Sequence, residues 1–485
     1  MNGGPDGSNR ILIRSGTLID GSGAPRRQAD ILIVGDRISA IAPPGGLPTN
    51  GVEAIDAGGL VISPGFIDVH THDDNAVLVG PDMTAKISQG VTTVIAGNCG
   101  ISIAPGRLAD PPAPLTLIAN SNPNTFRFDR LRDYVDAVTA AAPSVNIALL
   151  IGHSTLRVGA MSEIDRKATS AEIDVMRERL AECLDDGAIG FSTGLYYKVA
   201  APADIDEVVA LAELLSDKGV YVTHMRDEHD GVIDSLHESF ETANRAHVPI
   251  VISHHKCAGP RNWGRSRDTL KVIEAARRNQ RVSLDVYPYV AGSTVLEPEW
   301  VDPEIRIMVS WSTPHPEMAG RDLAEIAGAW RVSQTDAARR LKPAGAIYFQ
   351  IDEADMRRIL SYPPTMIGSD GLPHDNHPHP RLWGTFPRVL GRYCRQEGLF
   401  TLEEAIHKMT GLPAETFHLL DRGVVREGAF ADLVLFDADQ IIDCATFDIP
   451  KQPAEGIAHV IVNGRVGWRD GRHLGAGSGR FVTRN

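Results

Sequence analysis

Eight short apolar runs, separated by helix-compatible stretches, constrain the fold of this chain more than any other feature. The runs occupy residues 61–72, 91–100, 145–154, 188–195, 220–228, 249–256, 282–289 and 365–371. Strands that alternate with helices in this way are typical of parallel sheets, and eight of them predict a (β/α)8 barrel. A doubly wound open sheet has the same periodicity, so the pattern alone leaves it as the alternative.

The interval between the seventh and eighth runs is much longer than the others. It contains an extra segment at roughly residues 290–345. Long insertions after a barrel strand usually form lids or specificity loops. We therefore expect this segment to border the functional site.

The two ends of the chain resemble each other and differ from its middle. Residues 10–62 and 422–475 both alternate short apolar runs with Gly and Asp, which is β patterning. Neither piece is long enough to bury a core alone. We therefore predict an α/β protein in which a small β-sandwich, built from residues 1–62 and 416–485, flanks a barrel at residues 63–415.

The net charge and the cysteine content limit which partners and which cellular compartment we expect for this chain. The chain has 48 Lys+Arg against 62 Asp+Glu, a net charge of −14, so we expect neither a nucleic acid nor an anionic membrane as partner. Its five cysteines are scattered, which argues against a disulfide framework. The N-terminal residues MNGGPDGSNR contain no apolar stretch, and no apolar run approaches 18 residues, so we expect neither a signal peptide nor a membrane span. We expect a cytoplasmic protein, and the oligomeric state stays open.

Residues that can bind a metal recur at the carboxyl ends of the predicted strands. They are His70, His72, Cys99, His224, His254 and Asp370. Each has an ordinary alternative, since a lone Cys is usually a small core residue and Asp370 could be a turn residue. In a barrel, however, the carboxyl ends of all strands meet at one face. Thiolate, imidazole and carboxylate groups that share this location predict a zinc site.

The strings PGFIDVHTH and GAFADLVLFD are similar to the opening and closing segments of the amidohydrolase superfamily. A narrower resemblance is carried by GNCG, SHHKCAG, DVYPY and SDGLPHDNHPHPRLWGTFPRVLG, which resemble the N-acyl-D-amino-acid deacylases. The fourth strand, AIGFSTGL, lacks the metal-bridging Lys of hydantoinase-like and dihydroorotase-like members. The resemblance implies a barrel flanked by a β-sandwich and zinc-dependent hydrolysis of N-acyl-D-amino acids.

The resemblance also implies roles for individual residues. It implies that Cys99, His224 and His254 hold one tightly bound Zn²⁺. A second, weaker metal site would combine Cys99 as a bridge with His70, His72 and Asp370. Asp370 would be the catalytic acid and base. The substrate's α-carboxylate would be held by Lys256, Tyr287, Ser293 and Arg381.

The chemistry agrees with these roles. Zinc can supply hydroxide near neutral pH and polarise a carbonyl, while a carboxylate transfers the proton to the departing amine. Tyr196 or His255 could stabilise the oxyanion. Leu296 and Trp300 in the inserted segment favour neutral, apolar D-amino acids, whereas Arg306 would favour N-acyl-D-glutamate or N-acyl-D-aspartate. A cyclic amidase, a nucleobase deaminase and a metal-free scaffold remain alternatives.

Overall fold

The computed structural model describes residues 9–119, 124–475 and 477–483. The first eight and last two residues of the predicted terminal domain lie outside these ranges. Within them, no helix is both long enough and apolar enough to cross a membrane.

The described chain begins with five strands that belong to a terminal sheet. They are β1 (Arg10–Leu18), β2 (Arg27–Val34), β3 (Arg37–Ala42), β4 (Glu53–Asp56) and β5 (Val61–Pro64). The pairing of β1 with β2 shifts register between Ile13 and Gly16, and the first half of β1 also pairs with β4 while its second half pairs with β5. A bulge of this kind bends a strand, which lets one sheet fold around an apolar core.

The next part of the chain contains seven of the eight barrel strands and the helices between them. Its strands are β6 (Phe66–Asp68), β7 (Val91–Ala96), β8 (Gly106–Arg107), β9 (Arg127–Phe128), β10 (Asn146–Gly152), β11 (Gly190–Gly194), β12 (Val220–His224), β13 (Ile250–Ile252) and β14 (Val282–Val286). Its helices are α1 (Ala76–Val79), α2 (Thr84–Ile87), α3 (Thr116–Ala119), α4 (Leu131–Ala141), α5 (His153–Ala160), α6 (Ser170–Asp185), α7 (Ile205–Ala212), α8 (Val232–Ala246) and α9 (Ser266–Arg277).

The inserted segment is a small subdomain with its own core. It consists of β15 (Gly292–Val295), β16 (Ile307–Ser312), α10 (Leu323–Trp330), α11 (Gln334–Leu341) and β17 (Ala344–Tyr348). The three strands form a separate antiparallel sheet in the order β15-β17-β16. Its apolar side chains bury one another, so the segment is a folded unit rather than a simple loop.

The chain then returns to the barrel and ends in the terminal sheet. These elements are α12 (Glu353–Ser361), β18 (Thr365–Ile367), α13 (Arg381–Arg388), a π-helical stretch (Val389–Gln396), α14 (Leu402–Met409), α15 (Gly411–Thr416), β19 (Leu433–Phe436), β20 (Ile457–Val462), β21 (Arg465–Arg469) and β22 (Arg472–His473). Strand β19 pairs with β5, so both chain ends form one nine-stranded sheet, as predicted.

The eight barrel strands pair in parallel in strict chain order, β6-β7-β10-β11-β12-β13-β14-β18. Beyond the ends of β6 and β18, Thr71 and Gly371 form a parallel bridge, and the Asp370 amide donates to the His70 carbonyl at 2.7 Å. The sheet therefore closes on itself, which confirms the barrel and excludes the open-sheet alternative.

Two details differ from the sequence-based expectation. The run at 61–72 is not one strand, because β5 pairs with β1 and β19 while β6 pairs with β7. The chain changes sheets at Gly65, where a Cβ would lie 2.1 Å from the Thr92 side chain. In addition, the C-terminal residues do not all stay with the terminal sheet, since Val482 donates to the Ile147 carbonyl of β10 at 2.7 Å.

A buried lysine ties the first barrel strand to the last. Lys86 Nζ lies 2.8 Å from Asp68 Oδ2, 2.8 Å from Ser369 Oγ and 3.2 Å from Asp73 Oδ2. The other oxygen of Asp68 accepts the Ser369 amide at 2.8 Å. These contacts fix the positions at which both strands end.

We expect the Lys86→Met variant to lose about 3–5 kcal/mol of unfolding free energy, because it leaves two buried carboxylates without their cation. The exposed Lys271, also paired with an aspartate, provides the control, and Lys271→Met should leave stability unchanged. Urea denaturation of both variants measures the difference. Equal stability of the two would contradict a structural role for Lys86.

Candidate metal centre and substrate cavity

The six predicted metal-binding residues meet at the carboxyl ends of the barrel strands, and all of them are buried. Their ligand atoms form two overlapping groups, each within 4.8 Å. One group contains Cys99, His224 and His254, and the other contains Cys99, His70, His72 and Asp370. Cys99 belongs to both, as a bridging ligand would.

The distances in the first group suit a tetrahedral zinc ion. Cys99 Sγ lies 3.4 Å from His254 Nε2, which lies 3.1 Å from His224 Nδ1. Tetrahedral zinc–sulfur and zinc–nitrogen bonds place neighbouring ligand atoms about 3.3–3.6 Å apart. Three such ligands leave a fourth position open, which is what a catalytic zinc needs.

The second group adds a carboxylate to the shared thiolate. His70 Nε2 lies 3.2 Å from Cys99 Sγ, and His72 Nε2 lies 3.3 Å from Asp370 Oδ1. The distance from His70 Nε2 to the same carboxylate oxygen is 3.6 Å. These nitrogen, sulfur and oxygen donors also fit a divalent transition metal.

The backbone at three of the ligands is in the left-handed region, which L-residues rarely adopt. The φ angles are 55° at Cys99, 34° at His254 and 49° at Asp370. Strained conformations of this kind persist only where the surrounding structure enforces them, and they cluster at functional sites. At Cys99 the enforcement comes from Asp74, whose carboxylate accepts the amides of Gly97 at 3.3 Å and Ile103 at 3.1 Å.

The electrostatic field of the cluster favours ionised ligands. Burial opposes ionisation of Cys99, but the adjacent His70 and His254 hold the pKa of its thiol well below the usual range. Burial likewise opposes ionisation of Asp370, yet Arg381 and His70 hold the pKa of its carboxyl well below normal. Both groups are therefore ready to bind a cation.

The sequence did not reveal the carboxylate that orients two of the histidines. Asp285 on β14 lies 3.3 Å from His70 Nδ1, and it accepts the His254 amide at 2.9 Å. A hydrogen bond at the nitrogen opposite the ligand atom fixes a histidine's tautomer and ring orientation. The available signal was an aspartate within the apolar strand VSLDV.

A cavity of about 620 Å³ opens onto the metal ligands. Three of the predicted carboxylate-binding residues, Lys256, Tyr287 and Ser293, line it. Arg381 is completely buried behind the wall, with Nη1 2.9 Å from Asp370 Oδ2 and Nη2 donating to the Ser293 carbonyl at 3.1 Å. Its guanidinium also lies 4.4 Å from the Tyr287 ring centroid.

Several sequence-based expectations about the cavity wall are wrong. His255 follows β13 and contacts Thr269 Oγ1 at 2.8 Å rather than bordering the cavity. Leu296 is buried in the core of the inserted subdomain. Arg306 pairs with Asp322 at 2.9 Å and lies over Phe349. Trp300 does line the cavity.

Tyr196, the other residue considered for the oxyanion, is on the wall. Its ring stacks on His224 with centroids 5.2 Å apart and lies 4.7 Å from the Trp300 ring. The three rings extend from the metal ligands to the inserted subdomain. One side of the cavity is therefore aromatic.

Comparison with known proteins agrees with this geometry. Residues 53–467 match the model of the amidohydrolase family. The chain belongs to the amidohydrolase family. It is 52% identical to D-aminoacylase of Alcaligenes xylosoxydans xylosoxydans over 98% of this chain and 97% of that protein.

Two solved structures are similar to this chain over nearly its whole length. A crystal structure of D-aminoacylase superposes with a TM-score of 0.95 at 51% identity, covering 98% of this chain and 99% of that one. N-acyl-D-glutamate deacylase from Bordetella bronchiseptica, solved with zinc and a phosphonate inhibitor, gives a TM-score of 0.93 at 45% identity over the same shares. The donor cluster of this amidohydrolase suits the zinc that the latter structure contains.

We expect Cys99→Ala to abolish stoichiometric zinc binding, because it removes the ligand common to both groups. Cys183 on α6 is equally buried but lies outside the metal-ligand groups, so Cys183→Ala should retain zinc. Metal analysis of both purified variants after dialysis measures this. Full zinc retention by Cys99→Ala would contradict the assignment.

Proposed function

We propose that this chain hydrolyses the amide bond of N-acyl-D-amino acids, releasing the D-amino acid and the carboxylic acid of the acyl group. The observation that carries the proposal is the cavity that has the thiolate, histidine and carboxylate cluster at one end and Lys256, Tyr287 and Ser293 on its wall. The similarity to D-aminoacylase supports the substrate class and its D configuration.

The reaction needs a nucleophile, a base and a proton for the departing nitrogen. Bound zinc polarises the amide carbonyl and acidifies water. Asp370 borders the cavity as an ionised carboxylate, so it accepts the proton of the attacking water as the water oxygen bonds to the carbonyl carbon. The carbon–nitrogen bond then breaks, and Asp370 returns the proton to the amine nitrogen.

The proposed binding site for the substrate's α-carboxylate combines three residues of the cavity wall, Lys256, Tyr287 and Ser293, with Arg381, which lies directly behind them. The Lys256 ammonium and the Arg381 guanidinium both face the Tyr287 ring, at 5.9 Å and 4.4 Å from its centroid. Arg381 is also bonded to the Ser293 carbonyl. A fixed carboxylate orients the amide relative to the metal centre, and this orientation lowers the barrier.

We further propose a preference for neutral, apolar side chains. The aromatic wall of Tyr196 and Trp300 offers apolar contact, and Glu299 and Asp302 lie beside it. On the described part of the wall, the lysine is the one assigned to the α-carboxylate, and the arginine is paired with a glutamate. Arg226 binds Glu238 at 2.8 Å, and Lys256 binds Glu228 at 2.6 Å. An acidic side chain would therefore meet carboxylates without a free cation.

The proposed partner is thus a small molecule. The net charge of −14 argues against a nucleic acid or an anionic membrane surface. The five cysteines are all free, which supports the proposed cytoplasmic location.

We expect zinc-loaded protein to release amine from N-acetyl-D-Met, -Leu and -Phe, at least about tenfold faster than from N-acetyl-D-Glu and -Asp, since burying an uncompensated charge is costly. The matching L-substrates should be inert. Faster turnover of D-Glu or D-Asp would contradict the side-chain preference. Turnover of hydantoins in place of linear amides would support a cyclic amidase.

We expect Asp370→Asn to lower kcat about 10²–10⁴-fold, because the amide cannot carry the proton. Asp375 provides the control. Its carboxyl is also buried, but it belongs to neither metal-ligand group and does not border the cavity, so Asp375→Asn should leave kcat unchanged. Steady-state kinetics of both variants at saturating zinc measure this. Similar kcat values for Asp370→Asn and the unmodified enzyme would contradict the role of Asp370.

A further inference from the structure

Glu228 is a buried carboxylate beside the metal ligands to which neither the sequence nor the mechanism above assigns a role. It follows β12 and lies four residues after His224 in the string THMRDEHD. Its residue surface is only 5% exposed, and it borders the substrate cavity.

The two oxygens of Glu228 face two different metal-binding histidines. Oε1 lies 3.1 Å from His254 Nδ1, and Oε2 lies 3.6 Å from His224 Nε2. The opposite nitrogens, His254 Nε2 and His224 Nδ1, point into the donor cluster and lie 3.1 Å from each other. One carboxylate therefore meets both rings on the side away from the metal position.

This arrangement matches what a neutral imidazole ligand requires. When one ring nitrogen binds a metal, the other carries the proton and needs an acceptor. A carboxylate in that position fixes the tautomer and the ring orientation, and it makes the ligand more basic. In this chain one carboxylate lies within hydrogen-bond distance of the His254 ring and 3.6 Å from His224 Nε2, a buried nitrogen that has no hydrogen-bond partner among the described residues.

Lys256 makes an acceptor at this position more important. Its ammonium nitrogen lies 2.8 Å from His254 Nδ1, so a protonated Nδ1 and the ammonium would be two donors facing each other. Glu228 accepts from Lys256 at 2.6 and 2.8 Å and lies within reach of His254 at the same time. The carboxylate can thus keep the ammonium and the imidazole side by side.

We propose that Glu228 is a positioning residue for the zinc group of Cys99, His224 and His254, acting on both histidines at once. The proposal rests on the metal-binding part of the proposed function. The alternative is that Glu228 only neutralises the charge of Lys256. In that case its removal would change substrate binding and leave zinc affinity intact.

The test is the zinc dissociation constant of Glu228→Gln, measured without substrate by competition against a chromogenic chelator. Gln keeps the size of the side chain but loses one of the two acceptor oxygens, so we expect the constant to rise about 10–100-fold. Glu297 provides the matched control, because it is also buried and paired with lysines, Lys198 and Lys342. Glu297→Gln should bind zinc like the unmodified protein.

In Glu228→Gln the buried Lys256 ammonium loses its carboxylate partner, which could destabilise the fold. The double variant Glu228→Gln/Lys256→Met also removes this ammonium, so it separates a loss of zinc affinity from a loss of stability. We expect its zinc affinity to stay at least about tenfold weakened, since the histidines still lack their acceptor. Unchanged zinc affinity in Glu228→Gln, or full recovery in the double variant, would overturn the proposal. Because no substrate is present, the result does not depend on whether the deacylase activity is found.

Discussion

The Cys99 thiolate lies where two groups of donors meet, and the arrangement of the other ligands depends on where it is held. A thiolate is a soft, charged donor, and burial alone would keep it protonated. The adjacent imidazoles reverse that effect, and the Asp74 carboxylate holds the loop in which Cys99 adopts a left-handed backbone. The geometry of the metal centre therefore depends on the loop after β7 as well as on the histidines.

Several of the ligands are held by residues that follow a different barrel strand. Asp285 on β14 contacts ligands that follow β6 and β13, and Glu228 faces the histidines of β12 and β13. Asp68 on β6 fixes the amide that precedes Asp370. Closure of the barrel and formation of the metal centre thus use the same hydrogen bonds. Buried polar groups that are hydrogen-bonded to one another in this way favour one geometry.

The sequence predicts the barrel and its ligands because both leave local signals. Barrel strands are continuous apolar runs, and polar residues at their ends are conspicuous. The roles of Glu228 and Asp285 are harder to predict from the sequence, because the hydrogen-bond partner of a carboxylate depends on which strands become neighbours in the fold. Leu296 and Arg306 were assigned to the cavity for a related reason. Both lie just outside β15 and β16, and their contacts within the inserted subdomain, which sequence alone does not give, keep them out of the cavity lining.

The most direct test of the shared thiolate is X-ray absorption spectroscopy of protein loaded with one equivalent of zinc. The structure predicts one sulfur ligand at about 2.3 Å together with nitrogen and oxygen ligands at about 2.0–2.2 Å. A shell containing only nitrogen and oxygen would show that Cys99 does not bind the metal. It would contradict the account of how this centre is built.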